Sequence, residues 1–245
     1  MEAAAGMDDR ARRRRTCVML LIVAGGGVLA AGLGRLVAGA LSPAHAAHAA
    51  LMIYAWGILL PAGAIVARYF KVTRDQDFPR ETDNRFWWTW HRVLQTAGLL
   101  LATLGLATIW SISTAGGAGA MTAHGRLGLT ALALGWLQVA GALLRGTMGG
   151  PTDTRLRGDH YDMTPRRRLF EALHKTGGWL TLALAVVALI SGMVLADAPD
   201  LALAALGGLI GLHLAAVVHC ACTGRWTDTY RAIWGHPAPR HGAQP

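Results

Sequence analysis

The sequence predicts an all-α membrane protein with six transmembrane helices, four of which form the core. Composition is the first reason: 53% of the 245 residues are hydrophobic and 15% charged, with mean hydropathy +0.36. An average soluble chain is roughly 25% charged. Second, apolar segments recur near 17–41, 47–69, 88–110, 123–145, 173–196 and 201–222, each close to the roughly 20 residues that cross a hydrocarbon core of about 30 Å. Third, these runs are continuous, rich in Ala and Leu, and lack the period-two alternation of a closed barrel, the other way to satisfy every backbone group in lipid.

The first helix, near 17–41, follows Arg10 and the run Arg12 to Arg15. Basic residues, an apolar run and Ser42-Pro43-Ala44-His45-Ala46 also fit a cleaved signal peptide. However, the run of about 25 residues exceeds the 7–15 of a signal's apolar region. Arg35, close to its outer end, snorkels to the surface or meets an acidic cofactor group. The second helix, 47–69, opens at His48 and leaves through Arg68 and Lys71. The third, 88–110, has Trp87, Trp88 and Trp90 at its start and Trp110 at its exit, the pattern of an aromatic belt. The fourth, 123–145, begins at His124, and the fifth, 173–196, at His174.

The sixth helix, 201–222, ends in His219-Cys220-Ala221-Cys222, too short a cluster to be a strong zinc signal. With Cys17, these thiols fall at helix ends where a disulfide is not expected. Met148 to Pro165 and the Pro-containing stretch after Trp234 read as a loop and a frayed end. The expected organisation is a basic tail over 1–16, a membrane domain over 17–222 and a second tail over 223–245.

Net charge is +9, and position explains it better than nucleic-acid binding does. Arg10 and Arg12 to Arg15 precede the first helix; Lys71, Arg74, Arg80 and Arg85 follow the second; Arg145, Arg155, Arg157 and Arg166 to Arg168 follow the fourth. The intervening loops near 42–46, 111–122 and 197–200 contain no Lys or Arg. The positive-inside rule then predicts two cytoplasmic termini, in agreement with an even number of crossings.

Four helices carry a histidine near their start: His48, His91, His124 and His174. Because successive helices run in opposite directions, His48 and His124 are expected near the outer surface and His91 and His174 near the inner one. A polar ring inside a membrane is a functional candidate by default, and haem iron accepts imidazole as an axial ligand between facing helices. Two histidines per iron fill both axial positions, which suits electron transfer rather than oxygen activation. Ligands about one turn below each surface would separate the irons by roughly 20 Å. Gly128, Gly177, Gly178 and Gly98 share a helical face with their histidines, either to admit a flat macrocycle or to bring helices together. Trp56, Trp136 and Trp179 lie deeper, as packing residues or as stacking partners for the ring.

The residues resemble the cytochrome b561 family, most closely the branch linked to a DOMON domain. His48-Ala-Ala-Leu-Met52, Trp56-Gly57 through Pro61-Ala-Gly63, and Ala67-Arg68-Tyr69-Phe70-Lys71 are similar to the family's first core helix. His91 with Gln95 and Gly98, His124-Gly-Arg126-Leu-Gly128 with Gln138, and His174 with Gly177 or Gly178 resemble the next three. The resemblance implies two haem b groups, held by His48 with His124 and by His91 with His174. It also implies electron flow from a cytoplasmic reductant such as ascorbate to an outer acceptor such as monodehydroascorbate or a ferric chelate. Arg68 and Lys71 resemble the basic pair that holds ascorbate, though positive-inside anchoring explains them equally well. Arg126 is expected to meet a haem propionate.

There is no DOMON-like strand region before the helices, and the loops near 72–86 and 146–169 are long for the family. His45 shares a helical face with His48 and competes with it as ligand, but the Leu-Met after His48 fits the family pattern. His213 reads as a helix-interface residue. Two lysines among 23 basic residues point to a GC-rich gene and a bacterial inner membrane, where a quinol or a soluble reductase becomes a credible donor. Lipid, small-molecule donor and acceptor, a periplasmic redox partner and a second copy of the chain are the expected partners. Two other functions compete: a haem-containing anchor between the quinone pool and a periplasmic partner, and a metal permease using the histidines as a relay.

Overall fold

A computed structural model describes residues 2–39, 41–115, 122–151 and 157–239, all of them helical or irregular with no strand. Arg155, residues 116–121 of the stretch expected as a loop, and the end of the chain from 240 lie outside the described residues. Six helices are long and apolar enough to cross a membrane. They are α1 (Glu2–Ala38), the pair α2 (Pro43–Tyr54) and α3 (Leu60–Tyr69) joined end to end, α4 (Arg85–Ala115), α5 (Ala123–Leu143), α6 (Pro165–Leu195) and α7 (Asp200–Cys222). A short helix α8, Thr229–Trp234, follows.

Several ends differ from the sequence reading, each for a local reason. α1 extends back to Glu2 because the stretch before Cys17 is dominated by Ala and Arg, which are good helix formers, and has no proline. The 1–16 tail is therefore helical over its described part. α4 begins at Arg85, where Asn84 Oδ1 accepts from the Phe86 backbone N–H at 3.0 Å. α6 begins eight residues earlier than expected, because Thr164 caps it and Pro165 takes a first-turn position that needs no donor. His174 accordingly sits in the third turn of its helix, not the first.

Between α2 and α3 the chain takes one wide turn, a π-helix over Ala55–Leu59. Pro61 is the cause: it has no N–H for the Gly57 carbonyl, and its ring would crowd that carbonyl in a regular α-helix. Glycines then let neighbours approach closely. A Cβ on Gly34 would lie 2.6 Å from the backbone nitrogen of Ala50, so α1 packs onto α2 as an integral part of the bundle. The four central helices form two close pairs, α2–α3 with α4 and α5 with α6. Trp56, Leu99, Leu132 and Leu189 fill the centre between the pairs. Leu180, Leu201, Leu212 and Val218 remain more than half exposed, as a lipid-facing surface requires.

Candidate functional site

Each histidine pair spans the gap between the two helix pairs. His48 on α2 faces His124 on α5, with ring centres 6.1 Å apart and planes at 89°. His91 on α4 faces His174 on α6 at 6.2 Å and 81°. Imidazole nitrogen lies about 2.0–2.1 Å from a bound metal such as zinc, so one ion between two rings sets their centres about 6 Å apart. The two spacings fit that arrangement.

Neighbouring backbone orients three of the rings. His48 Nδ1 bonds the Gly105 carbonyl at 2.8 Å, His91 Nδ1 that of Gly63 at 3.1 Å, and His124 Nδ1 that of Ala188 at 3.0 Å. In each case the carbonyl belongs to the helix paired with the histidine's own. A hydrogen bond at Nδ1 fixes the ring and leaves Nε2 as the free nitrogen, the usual support of a metal-bound imidazole. His174 differs: its Nδ1 is buried without a hydrogen bond, and the Phe170 ring stacks on it at 5.1 Å. These carbonyl partners are invisible in sequence, since any residue type supplies one.

The glycines divide by role. A Cβ on Gly178 or Gly128 would meet nothing within 4 Å, which leaves room for a flat ring beside His174 and His124. Gly98 and Gly177 act differently: a Cβ there would come within 2.7 Å of Leu60 Cγ and 2.5 Å of Gln138 Nε2, so these two bring helices together.

A cavity of about 740 Å³ contains the inner pair and reaches inward to Trp56. Six basic residues line it, Arg68, Lys71, Arg92, Arg145, Arg167 and Lys175, against the single carboxylate of Glu171. Glu171 is already shared, accepting from Arg167 Nε at 3.0 Å and Lys175 Nζ at 2.5 Å. The surplus positive charge suits an anionic occupant. Arg145 and Arg92 lie against the Trp88 ring at 4.6 and 5.6 Å. The donor set, the free Nε2 nitrogens, the open faces at Gly178 and Gly128 and the basic lining all fit a haem with its two propionates.

The remaining expectations separate clearly. His45 bonds Ser42 Oγ at 2.8 Å, one turn away from the pair that His48 joins. His213 Nδ1 bonds the Leu209 carbonyl of its own helix at 2.8 Å. Arg126 is exposed and forms no ion pair among the described residues. Trp87 is not a surface anchor: it is 7% exposed and packs with Met19, Leu94, Val66 and Ile233. Cys220 is buried while Cys17 and Cys222 are exposed. Among the described residues no group of three or more His, Cys, Asp or Glu comes together.

The segment after α7, read as a tail, is folded against the α3–α4 and α5–α6 connections. Asp228 caps α8 by accepting from the Tyr230 N–H at 2.8 Å. His160 is fully buried beside Tyr230 and bonds Trp234 Nε1 at 3.2 Å. Burial, and then the nearby Arg167, push its imidazole down to about 4, so it is neutral at pH 7. Thr227 accepts from Lys71 Nζ at 3.1 Å. Burial, reinforced by Lys175, pushes the Lys71 ammonium down to about 8.

Six apolar helices with histidine pairs at opposite ends of a four-helix core define a membrane-embedded bundle of the b-type cytochrome class. The chain belongs to the cytochrome b561 family: the profile described as eukaryotic cytochrome b561 matches residues 47–198, from just before His48 to just past α6. It is 31% identical over 153 residues to a cytochrome b561, DM13 and DOMON domain-containing protein of Arabidopsis thaliana, covering 62% of this chain and 15% of that one. A second Arabidopsis protein, named for cytochrome b561 and DOMON domains, is 27% identical over 62% of this chain and 32% of its own length. A Drosophila melanogaster protein named as a ferric-chelate reductase 1 homolog is 35% identical over 44% of this chain and 16% of its own. The chain thus spans under a third of the length of each of these relatives. No solved structure matches it. The family implies haem b as the cofactor and an integral membrane location.

Proposed function

We propose that the chain carries electrons across a membrane through two haem b groups, one held by His48 and His124, the other by His91 and His174. The observation that carries this reading is the pair of matched spacings, 6.1 and 6.2 Å, at opposite ends of the same four helices. Haem b supplies a one-electron ferric/ferrous couple when bound. His48 with His124 and His91 with His174 would hold its iron, and Arg68, Lys71, Arg92, Arg145, Arg167 and Lys175 would offset negative charge on the group at the inner site. Trp56, Leu99, Leu132 and Leu189 keep water out of the space between the sites.

The donor works from the cytoplasmic side and the acceptor from the other, with both termini cytoplasmic; the arginine distribution supports this orientation. Low lysine usage supports a bacterial inner membrane. The donor is ascorbate-like or a quinol, and a ferric chelate is the acceptor favoured by the fly relative's name. A periplasmic redox domain as acceptor is a second reading, favoured by the DOMON domains in the names of the plant relatives.

Haem content and reduced-minus-oxidised spectra of purified protein test the assignment. Two haems per chain are expected, with His91→Ala losing the inner one and His48→Ala the outer one. Equal loss of both in each variant would sink the pairing. A preparation without haem would favour a histidine-lined metal path instead.

A further inference from the structure

We infer that the segment Arg225–Thr229 determines which reductants reach the inner site, because it occupies the two basic residues that a small anionic donor would use. This rests on the electron-transfer reading above. Lys71 is only 5% exposed, and its ammonium is spent on the Thr227 carbonyl at 3.1 Å. The Trp87 ring lies 5.9 Å from it, and Lys175, Asp228, Arg68 and Glu171 are within electrostatic reach. The Trp226 ring covers one face of the Arg68 guanidinium at 5.1 Å, and Thr229 completes the wall of the cavity. A carbonyl oxygen on a lysine ammonium is the contact that a carboxylate or enolate donor would otherwise make.

The segment is held there from both sides. Arg225 lies over Phe70 at 5.2 Å, just before Lys71. Arg231 lies over Phe78 at 5.7 Å, and the Ala232 carbonyl accepts from the Asp83 N–H at 3.0 Å. Tyr230 is 1% exposed against His160. These contacts tie the segment to both cytoplasmic loops that flank the cavity mouth. A small anion such as ascorbate must displace it, whereas a quinol arriving laterally through the bilayer does not meet it.

Two readouts test this. Lys71 and Lys175 are the only lysines in the chain, so amine labelling followed by mass spectrometry reports Lys71 directly, with or without haem. Deleting 225–245, or combining Trp226→Ala with Asp228→Ala where the deletion does not fold, is expected to raise Lys71 labelling to the level of Lys175. The rate of haem reduction by ascorbate should rise about tenfold or more, the size of one hydrogen bond to a charged group. Reduction by a quinol in the same detergent should not change. Unchanged labelling, or raised labelling with an unchanged ascorbate rate, overturns the inference. Two haems per chain in these preparations would leave the parent reading intact in either case.

Discussion

Gly192 has no side chain where the His124 ring lies: a Cβ there would stand 2.7 Å from Cε1 and 3.0 Å from Nδ1. The same ring is bonded to the Ala188 carbonyl one turn earlier on α6, so it cannot retreat without losing its orientation. Gly192→Ala is expected to displace His124, at about 1–3 kcal/mol of overpacking. The outer haem should be lost or its spectrum altered while the inner one is retained. Equal effects on both haem signals would contradict a role confined to this ring.

His45 and His48 can be separated by substitution. With His45 bonded to Ser42 and His48 facing His124, His45→Ala should keep two haems per chain. His48→Ala should keep one. Pyridine haemochrome assay of both variants reads the difference.

Lys71 gives a pH dependence of known sign. Burial favours its neutral form, so the pKa falls from 10.5 to about 8; the cost of the buried charge is present below about 8 and gone above 10.5. In the intact chain an anionic donor should reduce the protein more slowly as pH rises through about 8, and removing 225–245, which relieves the burial, should move that fall to higher pH. Lys71→Arg should flatten that profile, because a guanidinium stays charged. Rapid-mixing reduction by ascorbate from pH 6.5 to 9.5 makes the comparison.

His160 makes the stability of the C-terminal segment depend on pH in the same sense as the buried charge of Lys71. Its folded pKa, about 4, lies below the ordinary 6.5, so the unfolded form binds the extra proton. Stability is complete above pH 6.5 and falls as pH is lowered toward 4, by at most about 1.4 kcal/mol per unit. Protection factors over 229–234, which remove the intrinsic slowing of amide exchange in acid, should therefore fall on acidification from pH 7 to 5. His160→Gln, which keeps an acceptor for Trp234, should lose most of that dependence.

The helix count and the grouping of the four histidines were legible because they depend on hydropathy and spacing alone. Helix ends were less so, although Thr164-Pro165 was a readable start and the reason His174 lies deep in its helix. The π-turn is encoded by Pro61, but a proline in a membrane helix specifies a kink as readily as a wide turn. The fold of Arg225–Trp234 was missed because its stability comes from loops distant in sequence: Lys71, Phe78, Asp83 and His160 all touch this short stretch of mixed aromatic and polar residues. Only Asp228, a cap before Tyr230 and Ile233, hinted at α8. Gly98 and Gly177 share the histidine face with Gly178 and Gly128, so only the positions of Leu60 and Gln138 tell the two roles apart.

The wide turn at Ala55–Leu59 also fixes the length of its helix. A wide turn absorbs one extra residue with little change of phase beyond it, and this helix serves both sites: His48 before the turn, and the Gly63 carbonyl, Arg68 and Lys71 after it. Pro61 keeps the turn wide, so a one-residue deletion within 55–59 would rotate one half against the other by about 100°. Either His48 would leave His124 or Gly63 would leave His91. Insertions and deletions in this stretch should therefore be far less tolerated than substitutions, and a compensating insertion and deletion on opposite sides of Trp56 should restore both sites together.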